Sequence, residues 1–266
     1  MIAWRAVRGP VDVVITDRWG GVSAAPYAEF NLGDHVGDAP EAVGANRGAL
    51  AAAVDVPPDR LVFADQVHGR RVVAVEEPWG TQRPASADGL VSTSPDLVLG
   101  ALVADCVPVL LADPQGGVIA AVHAGRPGMI ARIVDAAVDA MSAAGAVEIS
   151  AVVGPSVCAR CYEVPATMRD DAAAVSPDSW AVSATGTPAI DVAAGVSAQL
   201  AEHGIPVLRV PGCTRESPHL YSYRRDGRTG RFAGLIRLHR MPRGDFRSWQ
   251  ILSDGAAPSG AGLGRK

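Results

Sequence analysis

One thiol and two imidazoles stand where predicted strands end, and their types suit them for chemistry. Cys106 and His123 each follow a run of apolar residues, and His68 ends a third such stretch. Imidazole and thiolate are good zinc ligands, and three protein ligands leave a fourth position open, as in catalytic zinc sites. The sequence therefore predicts that His68, Cys106 and His123 bind zinc and are catalytic.

Two other interpretations of this trio stay open at the level of sequence. Cys106 could be a nucleophile with a histidine base, or the three side chains could simply be packed in the core, where free cysteine is common. The residues are far apart in the chain, so a shared site requires one sheet to bring its strand ends to one edge. Asp105 is a candidate partner for a ligand histidine.

Short buried strands and amphipathic helices must position these residues. Runs rich in Val, Leu and Ile between Gly, Pro and Asp predict strands. These runs are 11–16, 61–69, 71–75 (as a return strand), 97–104, 107–112, 117–122, 147–154, 207–210 and 232–238. Apolar spacing of three and four predicts a helix over 129–145, with Pro127 in its first turn and Gly145 at its end. Residues 165–202 are predicted to be mainly helical around a loop, so the fold class is α/β (mixed α+β).

Arginines in two loops are candidates for holding an anion. Arg18 and Ser23 flank a Gly pair whose amides could also hold one. The segment 214–231 contains five arginines, among them Arg225 and Arg231, interleaved with Gly and Tyr. Arginine binds phosphate through paired hydrogen bonds, and aromatic rings stack on bases. A plain turn and a solvated charge run are the alternative interpretations.

A second group of cysteines has partial metal-site spacing. Cys158 and Cys161 form a CxxC pair, and Cys213 and His219 could complete a structural zinc site. The sequence holds no second CxxC and no βαβ context for a redox motif. The spacing alone therefore favours a packing role.

Composition limits the class of protein. The chain has 266 residues, 48% hydrophobic content and a net charge of -4, which argues for one large domain and against nucleic-acid binding. No apolar run is long enough for a membrane span, and the N-terminus lacks signal-peptide features. We therefore expect a cytoplasmic protein with reduced thiols, with one catalytic domain at 1–252 and a disordered tail at 253–266.

Motifs from about Thr16 to Leu238 resemble those of the YfiH-type family, also called laccase-domain proteins, multicopper polyphenol oxidoreductases or peptidoglycan editing factors. In chain order they are TDRWGGVS, FNLGDHVGD, QVHG, ADGLVS, ADCVPVLLAD, AVHAG, GPSVCARCYEV and CTRESPHLYSYRRDGRTGRFAG. The resemblance implies a single YfiH-like domain of packed mixed β-sheets with outer helices. It also implies metal binding by His68, Cys106 and His123, the trio that the residue types suggest.

The same resemblance implies an activity. Family members are described as zinc-dependent purine nucleoside phosphorylases that act on adenosine, inosine, guanosine and methylthioadenosine and also deaminate adenosine. The expected partners are therefore a purine nucleoside and phosphate, and the expected cofactor is Zn²⁺. Other family descriptions imply copper-dependent polyphenol oxidation, or editing of peptidoglycan precursors with Cys106 as nucleophile. Six histidines are few for a multicopper enzyme, which makes copper the weaker alternative.

One loop departs from the family pattern. The family usually continues His-Ala-Gly with Trp-Arg-Gly, whereas Arg126, Pro127 and Gly128 follow here. Proline has no charge and no N–H donor. We therefore predict that Arg126 holds phosphate, aided by the amides of the helix that begins beside it.

Overall fold

A computed structural model of the chain describes residues 1–240, 246 and 248–253. This part of the chain contains fourteen β-strands and six α-helices. The strands are β1 (Ile2–Arg8), β2 (Val11–Thr16), β3 (Leu61–Phe63), β4 (Val72–Ala74), β5 (Gly89–Ser92), β6 (Val98–Val103), β7 (Val107–Asp113), β8 (Val118–Ala124), β9 (Ser150–Val153), β10 (Trp180–Val182), β11 (Pro188–Ile190), β12 (Val207–Arg209), β13 (Phe232–Leu238) and β14 (Gln250–Ser253). The helices are α1 (Pro40–Ala53), α2 (Arg126–Ile130), α3 (Ile133–Ala143), α4 (Ala166–Val175), α5 (Val192–Glu202) and α6 (Tyr223–Asp226).

Two six-stranded mixed sheets pack face to face. The first sheet has the order β14-β1-β2-β13-β6-β3, the second has the order β12-β9-β7-β8-β5-β4, and β10 pairs with β11 separately. Ile15 and Leu99 of the first sheet share one buried cluster with Leu110 and Ile119 of the second. The predicted α/β class, with packed mixed sheets, is confirmed.

Helices cover the outer faces of both sheets, as predicted. Leu50 of α1 packs with Val14 on the outer face of the first sheet. On the second sheet, Ile133 of α3 belongs to the same cluster as Leu111, whereas the neighbouring Leu110 faces the first sheet. Successive residues of a strand point to opposite faces, so a strand buried on both faces is apolar throughout.

The strand predicted over 61–69 is shorter in the structure, and the return strand after it is wrong. β3 ends at Phe63 and pairs in parallel with β6 of the first sheet. β4 pairs in parallel with β5 of the second sheet instead of returning along β3. The segment between them crosses from one sheet to the other, so His68 lies in a loop, where its φ is 62°.

The helix predicted over 129–145 is two helices, α2 and α3, separated by a left-handed residue. Arg132 has a φ of 61°, and its guanidinium holds this bend by binding Asp135 (Nε–Oδ2, 2.6 Å) and Glu202 (Nη2–Oε2, 2.5 Å). The apolar spacing continues across the bend, so it leaves no trace in the sequence pattern. The stop at Gly145 is confirmed, with a φ of 99°.

The C-terminal prediction falls mostly outside the described residues. Ser253, placed in the predicted tail, is the last residue of β14, which pairs with β1. Residues 254–266 lie outside the described part of the chain. None of the described helices has both the length and the apolar character that a membrane crossing requires.

Candidate metal centre and cavity

The trio lies at the seam between the two sheets, not at the edge of one sheet as the sequence suggested. His68 follows β3, and Cys106 stands in the short link by which the chain passes from β6 of the first sheet to β7 of the second. His123 lies within β8, opposite Pro108 of β7. Because β3 and β6 are parallel neighbours, the segments that follow them leave the first sheet at the same end, next to β8.

The ligand atoms of the trio lie close enough to share one metal ion. One atom from each of His68, Cys106 and His123 falls within 4.8 Å of the other two. The Sγ of Cys106 is 3.8 Å from Nε2 of His68. Sulfur and nitrogen ligands at normal distances from a tetrahedral zinc ion are about 3.6 Å apart, so this donor set fits zinc.

The two imidazoles differ in exposure. Their rings meet edge to face, with centroids 4.7 Å apart and planes at 85°. His123 is only 3% exposed, whereas His68 lies on the exposed side. The trio is therefore anchored on one side and open on the other, as catalytic metal sites require.

Asp88 holds two members of the trio in place. Its Oδ1 lies 2.8 Å from Nδ1 of His123 and also accepts a hydrogen bond from the amide of His68. Its Oδ2 accepts from the amide of Gly69 at 2.6 Å. Because a carboxylate only accepts, Nδ1 of His123 carries the proton and Nε2 remains for the site. Such partners orient ligand histidines and fix their tautomer.

Sequence reasoning missed Asp88 and named Asp105 for this role instead. The carboxylate of Asp105 accepts from Oγ1 of Thr214 and from the amide of Arg224, both at 2.6 Å. It therefore braces the loop that contains these two residues. The Ala-Asp-Gly motif at 87–89 was visible in the sequence, but an isolated loop aspartate gives no local sign of its partner.

The charges of the trio are coupled. Burial alone would raise the pKa of Cys106, but the adjacent His123 and His68 outweigh it and lower the pKa of this thiol to about 6. Burial likewise opposes the charged form of His123, yet Cys106 and Asp88 raise its pKa to about 9. The hydrogen bond from His123 and those from the His68 and Gly69 amides offset burial and lower the pKa of Asp88. The thiolate, which is both the metal ligand and the nucleophile, is thus the favoured form of Cys106 near neutral pH.

A cavity of about 410 Å³ opens onto the trio. Its lining combines the metal-binding groups with aromatic, cationic and apolar side chains. The lining residues are His35, Gln66, His68, Leu102, Val103, Ala104, Asp105, Cys106, His123, Gly125, Arg126, Val157, Tyr162, Val192, Tyr223, Arg224 and Arg231. A volume of this size is in the range of small-molecule sites.

Two of the five predicted anion-binding residues line this cavity. Arg126 makes no hydrogen bond or ion pair with any residue in the described part of the chain, so its guanidinium is available to a ligand. Arg231 donates to the carbonyls of Thr229 and Gly230 through Nη1. Arg224, from the same basic segment, also lines the cavity, with its guanidinium 4.9 Å from the ring centre of Tyr162.

The other three lie outside the cavity lining and have structural partners. Arg18 donates to the carbonyl of Ala28 through Nε and Nη2, at 3.0 and 2.9 Å. The hydroxyl of Ser23 accepts from Nδ2 of Asn46. The bonds of Arg18 hold the turn-rich loop after β2 together, and the bond of Ser23 ties this loop to α1. These local contacts favour the plain-turn interpretation of that segment.

Arg225 has an equally local set of partners. Its Nη1 donates to the carbonyl of Ser217 at 2.6 Å, and its Nη2 donates to that of Leu220 at 2.8 Å. Asp226 pairs with the same guanidinium at 2.8 Å. Arg225 therefore ties its own loop together.

Comparison with known proteins gives consistent matches over most of the chain. Residues 12–239 match the model of a family described as multi-copper polyphenol oxidoreductase laccase. A protein of Streptomyces griseus named purine nucleoside phosphorylase is 52% identical over 236 residues, covering 87% of this chain and 96% of the relative. One of Streptomyces coelicolor with the same name is 54% identical over 226 residues, covering 84% and 93%.

Solved structures with the same architecture are also known. Neisseria meningitidis protein NMB0706 has a TM-score of 0.80 at 32% identity and covers 89% of this chain and 99% of its own. YlmD from Geobacillus stearothermophilus has a TM-score of 0.79 at 29% identity, with coverage of 87% and 93%. These likenesses confirm the YfiH-like fold.

Proposed function

We propose that the chain, which belongs to the multi-copper polyphenol oxidoreductase laccase family, is a zinc-dependent purine nucleoside phosphorylase. Relatives at about half identity carry that name. We extend the proposal to adenosine, inosine, guanosine and methylthioadenosine as substrates and to deamination of adenosine as a second activity. The main support for this proposal is that His68, Cys106 and His123, which can bind a metal, face a cavity whose wall includes the unpaired Arg126.

The residues of the cavity suit the two substrates of phosphorolysis. In this reaction a phosphate oxygen bonds to C1′ of the ribose, the bond from C1′ to the purine nitrogen breaks, and the base leaves with a proton. Arg126 supplies a free cation for phosphate, and paired hydrogen bonds would orient it. Tyr162 and Tyr223 line the same cavity, and aromatic side chains suit contact with a flat base.

The metal ion and its protein ligands have different roles in the proposed reactions. Zinc, when bound, supplies a Lewis acid that stabilises developing negative charge on the substrate and makes water more acidic for deamination. His68, Cys106 and His123 would hold it, and Asp88 keeps His123 in the tautomer whose Nε2 faces the site. The protein thereby sets the position of the metal relative to Arg126.

The test combines metal content with both reactions. Cys106→Ala and His123→Ala should each lose about one zinc ion per chain together with inosine phosphorolysis and adenosine deamination, while remaining folded by circular dichroism. If both variants keep the zinc content and the activities of the unaltered protein, the proposal is wrong.

A second candidate rests on a specific arrangement. Asp88, His123 and Cys106 stand in the order of an acid, a base and a thiol nucleophile, which suits a hydrolase acting on peptidoglycan precursors. That function predicts activity in metal-stripped protein, whereas ours predicts that a chelator abolishes activity and that zinc restores it. Activity that returns with copper, and not with zinc, would instead indicate polyphenol oxidation.

A further inference from the structure

A second group of metal-ligand side chains lies away from the trio, on two neighbouring loops. Cys158 and Cys161 belong to the loop after β9, and Cys213 and Glu216 belong to the loop after β12. One ligand atom from each of the four falls within 4.8 Å of all the others. The Sγ of Cys161 is 3.5 Å from Oε1 of Glu216. Four donors from side chains are enough to close a tetrahedral site.

The backbone brings these loops together without help from the side chains. β9 and β12 are parallel neighbours in the second sheet, so both loops leave from the same end. The pairing continues as an isolated bridge between Ser156 and Cys213, and the amide of Thr214 donates to the carbonyl of Ser156 at 3.1 Å. The position of Cys213 beside the CxxC pair is therefore set by the sheet itself.

The spacing of the four donors is that of a two-part metal site. The sequence shows one CxxC, and the structure shows that Cys213 and Glu216, also separated by two residues, form the facing half. In the first half, a turn is closed by the amide of Cys161 donating to the carbonyl of Cys158 at 2.9 Å. The amide of Cys158 in turn points at Sγ of Cys213, 3.4 Å away. An amide donor of this kind stabilises negative charge on sulfur.

The three cysteines are reduced and can therefore act as metal ligands. Cys158, Cys161 and Cys213 are all free thiols, with no disulfide among them. Three thiolates and a carboxylate outweigh the charge of one divalent cation by two. Arg225 of α6, which also pairs with Asp226, adds a cation beside this group, where it donates to the carbonyls on either side of Glu216.

We propose that Cys158, Cys161, Cys213 and Glu216 bind a second zinc ion in a closed structural site. This site braces the wall of the cavity. Tyr162, which lines the cavity, directly follows Cys161, and Thr214, which directly follows Cys213, donates to Asp105 beside the trio.

The experiment separates the second site from the trio by removing the trio first. Cys106→Ala, purified without added metal, should retain about one zinc ion per chain, and adding Cys213→Ser should remove it. Cobalt added to metal-free Cys106→Ala protein should give the intense near-ultraviolet sulfur-to-cobalt charge-transfer band of a multi-thiolate site. Because the trio in this background retains only imidazoles, the band reports on the second site alone.

A second variant tests the site without removing a cysteine, in case the Cys213→Ser protein misfolds. In the same background, Glu216→Gln alters an exposed side chain and should weaken zinc binding at least about tenfold in a chelator competition. Glu148→Gln, an exposed carboxylate outside both groups, should leave the affinity unchanged. The proposal would be overturned if Cys106→Ala protein contained no zinc and gave no cobalt–thiolate band. A disulfide among the three cysteines, detected by alkylation and mass spectrometry, would also overturn it.

Discussion

Replacing Arg126 should separate the two reactions proposed for the cavity. Arg126→Ala removes a guanidinium that lines the cavity and has no partner in the described chain, so no internal contact is lost with it. Phosphorolysis needs phosphate and deamination does not. We therefore expect a higher KM for phosphate and little change in adenosine deamination.

The size of the effect follows from the setting of Arg126. A hydrogen bond to a charged group contributes about 1.5–3 kcal/mol. Arg126 is half-buried, so water screens part of its charge and the lower end of that range applies. About 1.5 kcal/mol corresponds to an increase of roughly tenfold in the KM for phosphate. A nearby helix adds little, because α2 is only five residues long.

The assay measures initial rates of inosine phosphorolysis over a range of phosphate concentrations, and adenosine deamination in phosphate-free buffer. Arg209→Ala is the matched control, since Arg209 is an exposed arginine on β12 outside the cavity lining. Equal losses in both reactions would mean that Arg126 supports the loop or binds the nucleoside. An unchanged KM for phosphate would refute phosphate binding by Arg126 and would favour Arg224 or Arg231 as the phosphate-binding residue.

Two further substitutions test how the trio is held. Asp88→Asn should weaken zinc binding about 10- to 100-fold, because asparagine keeps one accepting oxygen and its NH2 group would face a donor at the position of the other; unchanged affinity in a chelator competition would count against this role. Gly125→Ala should also lower zinc affinity, since the added Cβ would lie 3.0 Å from Sγ of Cys106 and 3.0 Å from Cδ2 of His68. Gly48→Ala, where the added Cβ meets no atom within 4 Å, should bind zinc normally, and equal affinity in the two alanine variants would contradict this steric explanation.

The central strands could be predicted because of how they are buried. β6, β7 and β8 are buried at every position, since one face meets the other sheet and the opposite face meets further hydrophobic residues. A strand that is buried on both faces requires apolar residues throughout, and this run of apolar residues is visible in a single sequence. Cys106, in the link after β6, and His123, next to last in β8, were therefore correctly predicted to lie near strand ends.

The edge of the first sheet gave no such signal. β1 is only partly buried, and arginines occupy two of its seven positions, including Arg5, which pairs with Asp12 of β2 at 2.6 Å. β14 contributes Ile251 and Leu252 with more than half of each side chain exposed. Whether a partly exposed segment forms a strand depends more on its neighbouring strands than on its own residues. Neither β1 nor β14 was therefore predicted.

The candidate site was predictable in its residue types but not in its architecture. Thiol and imidazole chemistry identified the trio, yet its location between two sheets depends on β3 and β4 belonging to different sheets. The contact of Asp88 with His123 and the pairing of Cys213 with the CxxC loop join residues distant in sequence. Such contacts are tertiary, and no local pattern encodes them.

The position of the trio across the seam of the two sheets has a thermodynamic consequence. A ligand that requires His68, Cys106 and His123 together binds only the assembled sheets, so its concentration becomes a term in the folding equilibrium. At a free concentration one hundred times its Kd, such a ligand adds about 2.7 kcal/mol to the free energy of unfolding. For a chain of this size that corresponds to a rise of roughly 5–10 °C in Tm. Melting temperatures of variants are therefore comparable only at one fixed free-metal concentration, and the shift with concentration is itself a measure of affinity.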